Sequence, residues 1–170
     1  TWTIEEAEKS KYIDNIVIST DHETIIDLAI NYAKVSAPYI RPQSLCTDNA
    51  TSVDVILHAI NFFKLKSVNY DYVLMLQPTS PLRIYQDIDN AIEELSREIK
   101  AVISVCKTDH SPLWSNKLPS NKCMKDFLPE QIKNMRSQEL PDFYRLNGAL
   151  YISEVDYLIT NQGFFGDNTK

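Results

Sequence analysis

Apolar positions along the chain alternate between two spacings. Short runs read as strands: Asn15 to Ser19 (NIVIS), Ala37 to Arg41 closed by Pro42, Tyr72 to Leu76, Ala101 to Cys106, and Leu146 to Ile152. Between them the apolar residues return every three or four positions, as on one face of a helix. Thr1 to Ser10 has Trp2, Ile4 and Ala7 on such a face. A second helix is predicted from a Thr20-Asp21 cap to about Lys34, with Ile25, Ile26, Leu28, Ala29 and Tyr32 inward. Thr51 to Lys64 buries Val53, Leu57, Ile60 and Phe63, and Asp87 to Lys100 is built on Ile88, Ala91, Ile92, Leu95 and Ile99. Val155 to Thr160 makes a last short helix. Strands alternating with helices predict an α/β fold, a mostly parallel sheet with helices on both faces, with Tyr72 to Leu76 as its central strand.

One segment breaks this rhythm. His110 to Arg145 holds Pro112, Pro119, Pro129 and Pro141 and shows no period. It is too long for an ordinary loop, so it is functional or an excursion to a partner. The predicted organisation is one α/β domain, residues 1–109 with 146–170, and a separate arm, residues 110–145.

Composition narrows the function classes. The 170 residues carry a net charge of −6, which argues against nonspecific nucleic-acid binding. An anionic ligand on such a chain needs a local cluster of arginines. No apolar run approaches the ~20 residues of a membrane span, and Thr1 opens into a polar helical pattern without a signal peptide. Cys46, Cys106 and Cys123 are scattered with no CxxC, which favours a reducing, cytoplasmic setting. The three histidines are equally dispersed, and their spacing offers no zinc site. With three glycines in all, neither GxGxxG nor a Walker sequence exists. No Ser-His-Asp or Cys-His pairing is suggested, so an enzyme on this frame works without a protein nucleophile.

The stretch from Tyr72 to Arg83, YVLMLQPTSPLR, is the densest in information. A buried strand stops at Gln77-Pro78, and open α/β sheets place ligands at such strand ends. Pro78 and Pro81 stiffen the loop, which would present the Gln77 amide at a fixed angle. Arg41 also ends a strand; it is either a surface arginine or a phosphate or base contact. Asp48 to Ser52 leads into a helix, as a plain cap or as exposed N–H groups and a Ser52 hydroxyl that read a ligand's polar edge. Arg136 and Arg145 flank Ser137 to Pro141 and are either solvated or paired for bidentate recognition of carboxylate or phosphate. Phe164 and Phe165, between Gly163 and Gly166, are core plugs or a hydrophobic wall for a partner's ligand.

Seven stretches, in order, resemble the CMP-sialic acid synthetases. They are VISTD (17–21), IRPQSLCTDNATS (40–52), LQPTSPLR (76–83), VISVC (102–106), HSP (110–112), RSQELPDFYRLNGALYI (136–152) and FFG (164–166). This is the acylneuraminate cytidylyltransferase family, which includes bacterial enzymes for legionaminic and related nonulosonic acids. The resemblance implies a nucleotide-diphosphosugar-transferase-like fold and a homodimer formed by exchange of an arm over 110–145. It implies joining CMP from CTP to a nonulosonic acid with release of pyrophosphate, and Mg2+ as cofactor. Carried over by position, Arg41, the Ala50 backbone and Ser52 would hold the cytidine part. Gln77 would contact the acid sugar, and Arg136 would be catalytic. Arg145, Phe164 and Phe165 would reach the neighbouring subunit's sugar pocket. The family's basic phosphate loop (PARxGSK…KN) and its SIDID-like acidic pair, the expected magnesium ligands, have no match here. The chain is therefore expected to be the middle of such an enzyme, truncated at both ends. Two other readings stand beside this one: a Kdo-type cytidylyltransferase, and an inactive dimerisation or regulatory fragment of the same fold.

Overall fold

The computed structural model describes residues 1–170. They divide into two compact units, residues 1–104 with 148–170, and residues 105–147. No helix is long and apolar enough to cross a membrane.

In the larger unit, α1 (Trp2–Lys9) leads to β1 (Ile16–Val17), α2 (Glu23–Ala29) and β2 (Val35–Ser36). β1 and β2 pair in parallel, Ile16 opposite Val35. The second sheet holds β3 (Tyr72–Leu76), β4 (Ala101–Lys107) and β5 (Tyr144–Glu154), with β5 in the middle. β3 and β5 run antiparallel, from Tyr72 opposite Glu154 to Leu76 opposite Leu150. On its other side β5 is also antiparallel to β4. Glu154 N–H donates to the Lys100 carbonyl, and the Ser104 hydroxyl bonds both the N–H and the carbonyl of Leu150. The helices α3 (Ser52–Leu65), α4 (Tyr85–Glu93) and α5 (Val155–Asn161) complete the element list.

This corrects the expected sheet. The parallel part has two strands, and Tyr72–Leu76 lies at an edge of a three-stranded sheet whose middle strand is antiparallel. The physical reason is the connection before β5. The handedness rule for parallel strands applies when a helix carries the chain back to the sheet. β5 follows the irregular segment instead, and that segment leaves strand direction open.

Other expected elements are displaced or shortened. The strand placed at Ala37 to Arg41 pairs earlier, at Val35–Ser36, because Pro38 has no N–H to continue a ladder. α2 covers only Glu23–Ala29, its N-cap is His22, and Leu28 and Ile25 face solvent while Ala29 is buried. β-branched Thr24, Ile25 and Ile26 lose χ1 freedom in a helix, and little burial compensates them. α4 stops at Glu93 rather than Lys100. The Ser96 hydroxyl accepts the N–H groups of Glu98 and Ile99, and Ser96 N–H donates to the Ile99 carbonyl, which together replace the helical pattern.

The core joins Ala7 of α1, Ile88 of α4, Val102 of β4, and Leu150 and Ile152 of β5. Leu74, Leu76, Ala91, Ile92, Leu95 and Ile99 pack against it. Polar contacts lock α1 to α4: Ser10 Oγ donates to Asp89 at 2.5 Å, and Tyr85 N–H donates to Glu6 at 2.9 Å. The smaller unit, taken by itself, consists mainly of turns. It holds two 3-10 turns, Pro112–Trp114 and Ser137–Glu139, and Leu140 is its buried apolar side chain.

Candidate active site

A cavity of about 250 Å³ opens where the chain leaves β1 and enters α3. The IRPQSLCTDNATS stretch supplies most of its wall: Arg41, Leu45, Cys46, Thr47, Ala50, Thr51 and Ser52, with Asp21 and Val55 completing it. Three of the expected nucleotide contacts, Arg41, Ala50 and Ser52, are thus brought together.

Each is positioned by a local rule. The Arg41 N–H donates to the Thr20 carbonyl at 2.8 Å, which fixes the backbone. Its guanidinium is tethered to Ser19, through Nε to Oγ at 3.2 Å and through Nη2 to the carbonyl oxygen. Two of the three nitrogens are aimed by these bonds. The turn before α3 is closed by Ala50 N–H donating to the Thr47 carbonyl at 3.1 Å. So the Ala50 N–H is already engaged, and its carbonyl is the backbone group it can offer. Thr51 and Asp54 form a capping box: Asp54 N–H donates to Thr51 Oγ1 at 3.1 Å, and Thr51 N–H donates to the Asp54 carboxylate at 2.9 Å. The Thr51 hydroxyl and N–H hold the Asp54 carboxyl below its usual range. Ser52 opens the helix and is exposed on the cavity wall.

Sequence reading assigned no site role to Asp21 or Cys46. The sequence places Asp21 in a helix cap, a position that His22 takes in the structure. Cys46 Sγ lies 3.3 Å from the Pro42 carbonyl. Burial pushes the thiol up, the Asp21 carboxylate adds to the shift, and the group is a neutral donor at neutral pH. The signal for both was their place inside the quoted motifs.

A second group gathers at the carboxyl end of β3. Gln77 is half-buried directly after the strand, and its Oε1 lies against Gly148 of β5. Arg83, six residues on, is 6% exposed and donates through Nη1 to the Ala149 carbonyl. It carries the last letter of LQPTSPLR, yet sequence reading gave it no role. A guanidinium flanked by Leu82 and Ile84 looks like a surface group until its burial is known.

The remaining candidates divide. Phe164 is 4% exposed and packs on Tyr151 with ring centroids 5.4 Å apart, a core position. Phe165 is 60% exposed. Gly166 lets the FFG turn close on Tyr157, whose hydroxyl would sit 2.3 Å from a Cβ at that position. Arg136 and Arg145 belong to the smaller unit, and both are exposed. Arg136 N–H donates to the Glu139 carboxylate at 2.8 Å, which starts the 3-10 turn after it. No group of three or more His, Cys, Asp or Glu side chains is placed to hold a metal ion.

An anchored arginine and a capped helix start line one cavity, and an amide stands at a strand end, on an α/β frame. The chain belongs to the cytidylyltransferase family, whose model matches residues 1–159. It is 33% identical over 170 residues to a CMP-N,N'-diacetyllegionaminic acid synthase of Legionella pneumophila, covering 99% of this chain and 72% of that protein. It is 30% identical over 152 residues to a pseudaminic acid cytidylyltransferase of Campylobacter jejuni, covering 89% of this chain and 65% of the relative. It is 27% identical over 167 residues to an N-acylneuraminate cytidylyltransferase of Escherichia coli, covering 97% of this chain and 38% of the relative. The chain therefore spans less than two thirds of the last two.

Proposed function

We propose that the protein transfers CMP from CTP to a nonulosonic acid and releases pyrophosphate. The observation that carries this is the cavity that collects Arg41, Ala50 and Ser52 within a chain of the cytidylyltransferase family. The acids named for its relatives, legionaminic, pseudaminic and acylneuraminic, favour this substrate class over a Kdo-type acid.

In this reading a sugar hydroxyl attacks the α-phosphorus of CTP. The bond from that phosphorus to the pyrophosphate oxygen breaks, pyrophosphate leaves, and the hydroxyl proton goes to solvent. Such a transfer needs alignment and compensation of developing negative charge rather than a covalent intermediate. Arg41 and the α3 start hold the nucleotide, and Gln77 orients the sugar acid. Arg136 supplies a guanidinium to the phosphates, and Arg145 and Phe165 serve a neighbouring subunit's sugar. Phe164 supports Phe165 from the core. Mg2+ would neutralise phosphate charge. The protein is cytoplasmic and works as a homodimer through the arm at 110–145.

The test is pyrophosphate release by the full-length protein with CTP and N,N'-diacetyllegionaminic, pseudaminic or N-acetylneuraminic acid in turn. One of these acids is expected to give a CMP-sugar. Release from none of them, by folded protein with magnesium present, would favour the inactive-module alternative. For the assembly, light scattering at micromolar concentration should give twice the subunit mass, and a monomer would count against the arm.

A further inference from the structure

Two features meet behind Gln77 and belong to no part of the nucleotide cavity. The first is Gly148. Its φ is +71°, a left-handed conformation that L side chains rarely adopt. A Cβ there would stand 2.8 Å from Gln77 Oε1 and 3.7 Å from its Cδ. Position 148 is thus closed to a side chain both by its backbone and by the Gln77 amide. Packing against the bare Gly148 backbone therefore helps to place that amide.

The second feature is Arg83. Its Nη1 donates to the carbonyl of Ala149, the residue after Gly148, while Nε and Nη2 are buried without a partner. Burial disfavours the charged guanidinium, and the nearby Asp87 carboxylate offsets part of that. Arginine stays protonated all the same. A buried charge with two unpaired nitrogens costs stability, and an apolar side chain of similar volume would avoid that cost. Breaches of this kind concentrate where a protein needs a particular geometry.

We propose that Arg83 and Gly148 are positioning residues for the sugar-acid end of the site: Arg83 pins the Ala149 carbonyl, which holds bare Gly148 against the Gln77 amide and fixes its angle. This rests on the reading of Gln77 as the sugar-acid contact. A side chain at 148 rotates the amide away, and loss of the Arg83 bond lets Gly148 and Ala149 shift under it. Both changes act on the sugar acid through Gln77 and leave CTP binding alone.

The experiment uses the full-length protein, CTP, and whichever of the three acids it turns over. Gly148→Ala, Arg83→Met and Arg83→Lys are made alone and together with Gln77→Ala. Gly148→Ala and Arg83→Met are expected to raise the KM for the acid about tenfold and to leave the KM for CTP within a factor of two. In the Gln77→Ala background each should add less than twofold, because the amide they position is gone. Arg83→Lys, which can still donate to Ala149, should recover part of the loss. Circular dichroism checks the fold of every variant. Should Gly148→Ala not fold, Arg83→Met and its lysine partner decide the matter. If Gln77→Ala raises the KM for the acid but Gly148→Ala and Arg83→Met multiply it equally in both backgrounds, the positioning role is overturned and the reading of Gln77 survives. If Gln77→Ala itself leaves that KM within a factor of two, both fall together.

Discussion

Two pairs of arginines do different physical work in this molecule. In the larger unit, Arg41 and Arg83 are tied to backbone carbonyls, at Ser19 and Ala149. Their orientation is set before any ligand arrives. In the smaller unit, Arg136 and Arg145 are exposed, and Arg136 is anchored by its backbone alone. A tethered guanidinium can act as part of a rigid site at little ordering cost on binding. An exposed one acquires geometry only when a ligand or another chain meets it. The difference teaches that four arginines of one chain should separate by which observable they move.

The largest effect is expected at the untethered pair. If Arg136 faces the reacting phosphates, Arg136→Lys keeps the charge and loses the fork. We expect turnover to fall about tenfold or more, equivalent to about 1.4 kcal/mol of barrier, with the melting temperature unchanged. Turnover within a factor of two of wild type, from pyrophosphate release, would make Arg136 a solvated arginine. Arg145→Lys should raise the KM for the acid with no loss of stability.

The tethered side is sharpened by Gln77→Ala. Losing one neutral hydrogen bond costs about 0.5–1.5 kcal/mol, so the KM for the sugar acid should rise roughly two- to twelvefold while that for CTP holds. Equal changes in both constants sink the assignment.

A smaller effect tests whether the helix start is also rigid. Thr51→Ala removes one side of the capping box and should cost about 1 kcal/mol of stability, read by urea unfolding, with weaker CTP binding. An unchanged midpoint would show that the cap is redundant.

The smallest effect is one of pH. The Asp54 carboxyl is held below its usual range by Thr51, so its contribution is fully present above the unfolded-state value. It is lost as pH falls through the lower folded value, in the region below about 4. Amide exchange in the first turn of α3 should accelerate there, and Asp54→Asn should flatten that dependence. Because Asp54 is exposed, salt and solvent keep the change modest.

Much of the local architecture was legible without coordinates. Tyr72–Leu76 was read to the residue, and α3 to within one at each end. In both, apolar spacing and local stop signals agree: Pro78 after the strand, and the Thr51–Asp54 box before the helix. Most of the cavity wall comes from one stretch, Arg41 to Val55, while Asp21 joins it from earlier in the chain. Where spacing and local chemistry disagreed, the reading failed. Ser96 ended α4 through its own hydroxyl, against an apolar period that ran on to Ile99.

The sequence by itself determined the family, the order of the elements and most of the residue types that line the cavity, since these follow from motifs and periods along the chain. Tertiary structure alone decided what depends on distant partners. It set the antiparallel middle strand, because strand direction is a property of the connection and not of the apolar pattern. It separated Phe164 from Phe165, which the sequence leaves equivalent, by packing one on Tyr151 and leaving the other in solvent. It also revealed Arg83 as a buried group bonded to the Ala149 carbonyl. Burial of a guanidinium requires Ala149, sixty-six positions away, to be in place, and no local pattern encodes that meeting.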